Sequence, residues 1–159
     1  DDLFNRVKQI VNITNFIQGS FEKPKFLDTI KDERNGFIFF EALYQCLWSD
    51  SASRKAKLDN YFAVLESLNL SKWTYATYFL FLSDPDNNMF IKPEMLKKSL
   101  EVSQYPLVYE SKPSSEIYFQ VLEFSKWLKN KISELEPRDM IDVHSFMWHM
   151  APTGKWTDE

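Results

Sequence analysis

Ser71-Lys72-Trp73-Thr74-Tyr75-Ala76-Thr77-Tyr78-Phe79-Leu80-Phe81-Leu82 is the stretch on which the fold turns. From Trp73 onward it carries no charge, and its apolar and aromatic side chains fall on nearly every face of a helix. A segment of that kind belongs in a core. Thr, Tyr and Phe also favour strands, so a buried strand is the competing reading. The whole chain decides between them. Only 3 of its 159 residues are Gly. An all-β domain needs many tight turns, and Gly supplies their positive φ at least cost. The segment is therefore predicted to be the central buried helix, with Ser71 as its cap.

Working outward, the neighbours read as helices too. Asp84 to Asn88 is a polar loop, and Pro93 suits the first turn of a helix running to Ser103. Pro106 keeps Tyr105 to Tyr109 extended. The longest helix is predicted over 114–134, with the stripe Ile117, Val121, Phe124, Leu128, Ile132 and with Ser114 or Ser115 as cap. Pro137 opens a last helix to Met150. On the other side, Leu3, Val7, Ile10, Val11 and Ile17 give a helix over 2–17, ended by Gly19. Pro24 opens a short helix through Phe26, Leu27 and Ile30. Residues 31–36 read as a charged turn with Gly36 as breaker, before an apolar helix from Phe37 to Trp48. Ser49-Asp50-Ser51 offers caps for a helix over 52–68. The expectation is an all-α fold: a single compact domain of about six to eight helices over 1–151, with a loop-like tail over 152–159. No repeat, low-complexity run or interdomain linker interrupts it.

Composition narrows the class. Apolar residues make up 44% and aromatics 16%, ample for a core and too rich for disorder. The net charge of −4 lacks the basic balance that replaces phosphate counterions in non-specific nucleic-acid binding. The single thiol, Cys46, lies among Leu43, Tyr44, Leu47 and Trp48 with no His near it in sequence, which reads as buried and inert. It can form no disulfide within the chain, which fits a reducing compartment. No run approaches the ~18 consecutive apolar residues of a membrane helix. A chain that begins at Asp1 reads as a trimmed form or a fragment.

Four constellations carry candidate chemistry. Asp84, Asp86 and Asn88 occupy positions 1, 3 and 5 of a calcium-loop pattern. Met89 stands where that loop needs Gly, however, and Met95 where it needs a bidentate Glu, so an ordinary Asx turn is the better reading. Asp139, Asp142, His144 and His149 are the candidates for an acid/base or metal set. Asp139 and Asp142 share a helix face, but His144 is two residues from Asp142 and does not face it, and His149 lies two turns away, too far for joint ligation of one ion. The paired His at four-residue spacing of zincins is absent, and first-turn acids also serve the helix dipole. Lys92, Lys97, Lys98, Lys112 and Arg138 could form a basic face with Tyr105, Tyr109 or Trp148 for stacking. Lastly, so high an aromatic content leaves some Trp and Tyr exposed for a protein partner, Trp156 in the tail being one candidate. No Gly-rich phosphate loop, nucleophile elbow or Ser/His/Asp spacing is present.

Two stretches resemble a family of uncharacterised bacterial proteins. One runs from Trp73 to Pro93, with Trp73, Thr77, the apolar run, Asp84-Pro85-Asp86, and Met89-Phe90-Ile91-Lys92-Pro93. The other runs from Tyr109 to Trp148, with Tyr118, Leu122-Glu123-Phe124, Pro137-Arg138-Asp139-Met140-Ile141-Asp142-Val143 and Ser145-Phe146-Met147-Trp148. The resemblance covers about half the chain. It implies a helical domain of unknown activity, with no catalytic residues to carry over, and for some relatives a place near restriction or phage-defence systems. Relatives tend to have Gln at His144, which weakens a His-based mechanism.

The resulting expectation is a non-catalytic protein-interaction module of the bacterial cytoplasm, not spanning a membrane and with no metal or cofactor. Lys92, Arg138, Asp139, Asp142, Tyr109 and Trp148 form the expected binding surface, or a structural salt-bridge cluster. The alternatives are a nucleic-acid-associated domain of a defence system, and a metal-dependent enzyme using Asp139 and Asp142.

Overall fold

The computed structural model describes residues 2–150, and among these every regular element is a helix. The elements are α1 (Asp2–Ile13), α2 (Glu22–Lys31), α3 (Glu33–Trp48), α4 (Arg54–Ser67), α5 (Trp73–Ser83), α6 (Pro93–Ser103), α7 (Ser115–Lys131) and α8 (Met140–Met150), with one 3-10 turn over Ser133–Leu135. The all-α expectation holds, and Trp73–Leu82 is helix rather than strand. The expected tail over 152–159, including Trp156, lies outside the described residues. Contacts gather into two compact units, one up to Ser71 and the other from Lys72. No helix among the described residues is long and apolar enough to cross a membrane.

In the first unit α2 packs against α1 and α3, and α3 against α4. The core is aromatic: Phe26 meets Phe39 edge-on with ring centres 5.3 Å apart, and Phe39 lies 6.3 Å from Tyr61. Helix α1 stops at Ile13 rather than 17, where the Thr14 carbonyl accepts from the Lys23 ammonium at 2.7 Å instead of continuing the ladder. The predicted charged turn over 31–36 is largely the first turn of α3. The Asp32 carboxylate caps it by accepting from Asn35 N–H at 2.9 Å. Gly36 is no breaker. It sits inside α3 because a Cβ there would stand 2.5 Å from the Ile30 carbonyl oxygen of α2. Ser53 rather than Ser49, Asp50 or Ser51 caps α4, accepting from Ala56 N–H at 3.2 Å. The chain leaves α4 through Asn69 at φ 58, with Leu70 N–H bonded back to the Leu65 carbonyl at 2.8 Å. That is the Schellman geometry with Asn where Gly is commoner.

In the second unit nine consecutive residues of α5, Trp73 to Phe81, are buried. Its N-cap position is Lys72, with no side-chain cap bond, so Ser71 does not cap it. The helix is anchored by its interior side chains instead. Trp73 Nε1–H donates to the Glu110 carbonyl at 2.7 Å. The Thr77 hydroxyl donates to the Trp73 carbonyl at 2.7 Å and accepts from Ile91 N–H at 2.9 Å. These bonds satisfy buried backbone groups that would otherwise oppose folding. Ser114 caps α7 as expected, accepting from Ile117 N–H at 3.2 Å. Helix α8 packs against α6 and α7. It begins at Met140, three residues later than predicted, because Glu136 turns into the left-handed region at φ 50 and Asp139 takes the cap.

Candidate functional site

The start of α8 brings together three of the residues singled out in sequence. Asp139 Oδ1 accepts from Ile141 N–H at 2.9 Å and Asp142 N–H at 3.2 Å, satisfying two first-turn donors. Asp142 is held by Arg138 through a two-pronged pair, Nε to Oδ2 at 2.9 Å and Nη2 to Oδ1 at 3.0 Å, and also accepts from Arg138 N–H at 2.9 Å. These bonds hold the Asp142 carboxyl down to about 2 and push the guanidinium up. Lys129 closes the cluster by donating to the Arg138 carbonyl at 3.0 Å. Met140 N–H reaches the Pro85 carbonyl at 2.9 Å, which ties this corner to the loop after α5. Both acids are thus committed to the helix start.

The other predicted residues have separate company. The Lys92 ammonium lies over the Trp148 ring, 5.1 Å from its centre. Lys97 lies 5.4 Å over the ring of Tyr109 and pairs with Glu94. Burial is the main reason that the Tyr109 phenol is shifted up. His144 is buried against Phe81 and Phe90, with ring centres 5.7 and 5.6 Å away. Burial first, and the charge of Lys92 second, push its imidazole down to about 4. It is neutral at pH 7 and remote from the role of a poised acid or base. Among the described residues no three His, Cys, Asp or Glu come together as a metal site would need.

The Asp84–Asn88 loop is built as a structural turn. The Asn87 amide donates to both Asp84 carboxylate oxygens, at 3.2 and 3.0 Å. Asn88 is buried: its Oδ1 accepts from the Tyr118 hydroxyl at 2.9 Å, and its Nδ2 donates to the Asp84 carbonyl at 3.2 Å. The same Tyr118 hydroxyl accepts from Met89 N–H at 3.3 Å. An Asn spent on a core tyrosine is not an outward calcium ligand.

Cys46 is buried in the first unit. Burial raises its thiol to about 11, with Lys57 and Arg54 opposing, so the nucleophilic thiolate is absent near neutral pH. What the first unit offers is a surface. On α3 the face of Phe39, Ala42, Leu43 and Cys46 is buried, as a packed helix requires. A second face carries Phe37, Tyr44 and Trp48, which are 71, 55 and 63% exposed. Tyr44 and Trp48 lie one turn apart with ring centres 5.8 Å from each other. Phe37 also borders a groove of about 440 Å³, whose walls are Leu3, Phe4, Ile30 and Phe40 on one part and the charged Lys31, Asp32 and Glu33 on another.

Sequence reading treated Phe37 to Trp48 as one apolar helix and missed this face. The signal was present. Residues 37, 44 and 48 repeat at seven and four, a separate stripe from 39, 42/43 and 46, and one helix packed on one side buries only one of them. No protein-family model, curated protein or solved structure matches the chain.

Proposed function

We propose that the chain is a non-catalytic protein-interaction module whose docking surface is the outer face of α3. The observation that carries the reading is the exposed Tyr44–Trp48 ring pair. Trp and Tyr dominate the binding energy of protein interfaces, and large rings left in water on a rigid helix are a cost that a partner removes. The residues expected from sequence support the same reading by their employment. Asp139 caps α8 and Asp142 pairs with Arg138, which leaves the metal-enzyme alternative without its acids. A reducing, cytoplasmic setting is part of the proposal, consistent with a lone buried thiol.

The test is site-specific photo-crosslinking in an extract of the native host. A benzophenone amino acid replaces Tyr44 in one variant and the exposed Gln120 of α7 in another. The expected result is one discrete adduct from position 44 and none from position 120. Excess wild-type chain competes it away, and a Tyr44→Ala/Trp48→Ala chain of unchanged helicity does not. Equal labelling from both positions, or competition by the double variant, would overturn the reading.

A further inference from the structure

The N-terminal half of α3 carries a pattern that the Tyr44–Trp48 pair does not use. Arg34, Phe37 and Glu41 are all exposed. At 100° per residue they fall on one side of the helix, and seven residues separate Arg34 from Glu41, about 10.5 Å along the axis. A cation and an anion thus bracket a projecting phenyl ring. That ring forms one wall of a groove whose other walls are part apolar, Leu3, Phe4, Ile30 and Phe40, and part charged, Lys31, Asp32 and Glu33.

We infer that α3 pairs antiparallel with α3 of a second copy of this chain, about a two-fold axis near Phe37, with Arg34 of each copy on Glu41 of the other.

Symmetry fixes the register. An isologous interface must be complementary to itself, and an antiparallel helix pair reverses residue order across its axis. With the axis between residues 37 and 38, Arg34 comes level with Glu41 twice over and the two Phe37 rings meet in the middle. Each Phe37 ring, 71% exposed in the single chain, is then covered by its counterpart at the mouth of the mixed apolar and charged groove. Other registers are worse. An axis at the middle of the whole aromatic stripe, near residue 42, brings the two Glu41 carboxylates within a turn of each other and leaves Arg34 unanswered. A parallel two-fold pairing sets Glu41 directly on Glu41. Like charges facing each other across an interface are strongly unfavourable, so the charge pattern selects one arrangement. Tyr44 and Trp48 share the face of Phe37, and in this register Tyr44 comes level with residue 31 of the second copy, so self-pairing bears on the same face as the proposed function; Arg34 and Glu41 are the residues that self-pairing alone uses.

Sedimentation velocity on the full chain, from about 1 µM to about 1 mM, tests the inference. The wild type is expected to pass from monomer to dimer within that range. Arg34→Glu and Glu41→Arg each weaken dimerisation by at least about tenfold, and the two together restore it, because the swapped charges again meet opposites. Phe37→Ala abolishes the dimer, with unchanged far-ultraviolet circular dichroism confirming that the helices persist. A chain that stays monomeric throughout overturns the inference. So does a dimer that either single charge reversal leaves intact, or that the double reversal fails to rescue. Repeating the position-44 crosslink in an Arg34→Glu background separates the two proposals: an adduct that persists without the dimer belongs to another protein, and one that vanishes with it belongs to the second copy.

Discussion

His144 is buried against the rings of Phe81 and Phe90, where water cannot solvate a charged imidazole. In the folded chain its pKa falls to about 4 from an ordinary 6.5, first through burial and then through the charge of Lys92. The sign of the consequence follows from proton counting. Between pH 6.5 and 4 the unfolded chain binds a proton here that the folded chain refuses, so stability is complete above 6.5, falls as pH drops, and stops falling from this group near 4. The full loss is roughly 3 kcal/mol. Urea unfolding near pH 7 and near pH 4 measures it. His144→Phe, which keeps a ring in the same space, removes that part of the pH dependence, and an unchanged slope in the variant would sink the account. Asp142 has the same sign for another reason: its carboxyl, held down to about 2 by Arg138, contributes stability above its ordinary 3.8 that is lost as pH falls through 2.

At the scale of elements, Gly36 shows how packing overrides local code. The Lys-Asp-Glu-Arg-Asn-Gly sequence over 31–36 has turn chemistry throughout, yet α3 runs through most of it. Asp32 ends α2 and caps α3, and Gly36 lets the two helices approach until no side chain fits between its Cα and the Ile30 carbonyl. Gly36→Ala should therefore destabilise the chain by about 1–3 kcal/mol, although Ala is intrinsically the better helix former. Thermal melts decide the matter, since a variant that melts higher would mean that the contact yields freely. The same competition explains what sequence could and could not give. Trp73–Phe81 was legible because its uniformly apolar composition permits only burial, and Ser114 because a cap ahead of a strong apolar stripe has one reading. The start of α5 at Trp73 was placed correctly, but its cap at Ser71 and the start of α8 at Pro137 were not, because hydroxyl and proline signals are local, whereas these helix ends are fixed by the Trp73–Glu110 and Met140–Pro85 bonds, made across distant sequence. The site fared likewise. Arg138, Asp139 and Asp142 do come together, but as cap and ion pair, and Lys92 with Trp148 as a separate stack. The α3 face escaped because a second apolar stripe is meaningful only once the first is known to be buried.

For the molecule as a whole, the distribution of charge matters more than its sum. The chain has 19 basic and 23 acidic residues. Many cations are answered by an acid three or four residues away: Arg6 by Asp2, Lys55 by Asp59, Lys97 by Glu94, Lys98 by Glu101, Lys126 by Glu123 and Arg138 by Asp142. Such exposed pairs add little stability, typically below about 1 kcal/mol each. Their effect on partners is larger. A phosphate backbone gains affinity by letting several lysines and arginines displace its counterions together, and here four of the five candidates for a basic face have acids or rings beside them. Lys97, Lys98 and Arg138 are paired, and Lys92 lies on Trp148. Fluorescence anisotropy with labelled single- and double-stranded oligonucleotides should accordingly detect no binding tighter than about 100 µM near physiological salt, the weak end of non-specific association. Micromolar binding whose logarithm falls with log salt at a slope steeper than about −2.7 would mean that three or more cations reach phosphate together. The local pairs would then be weaker than their geometry indicates, and the acidic balance of the chain would be masking a basic face rather than excluding one.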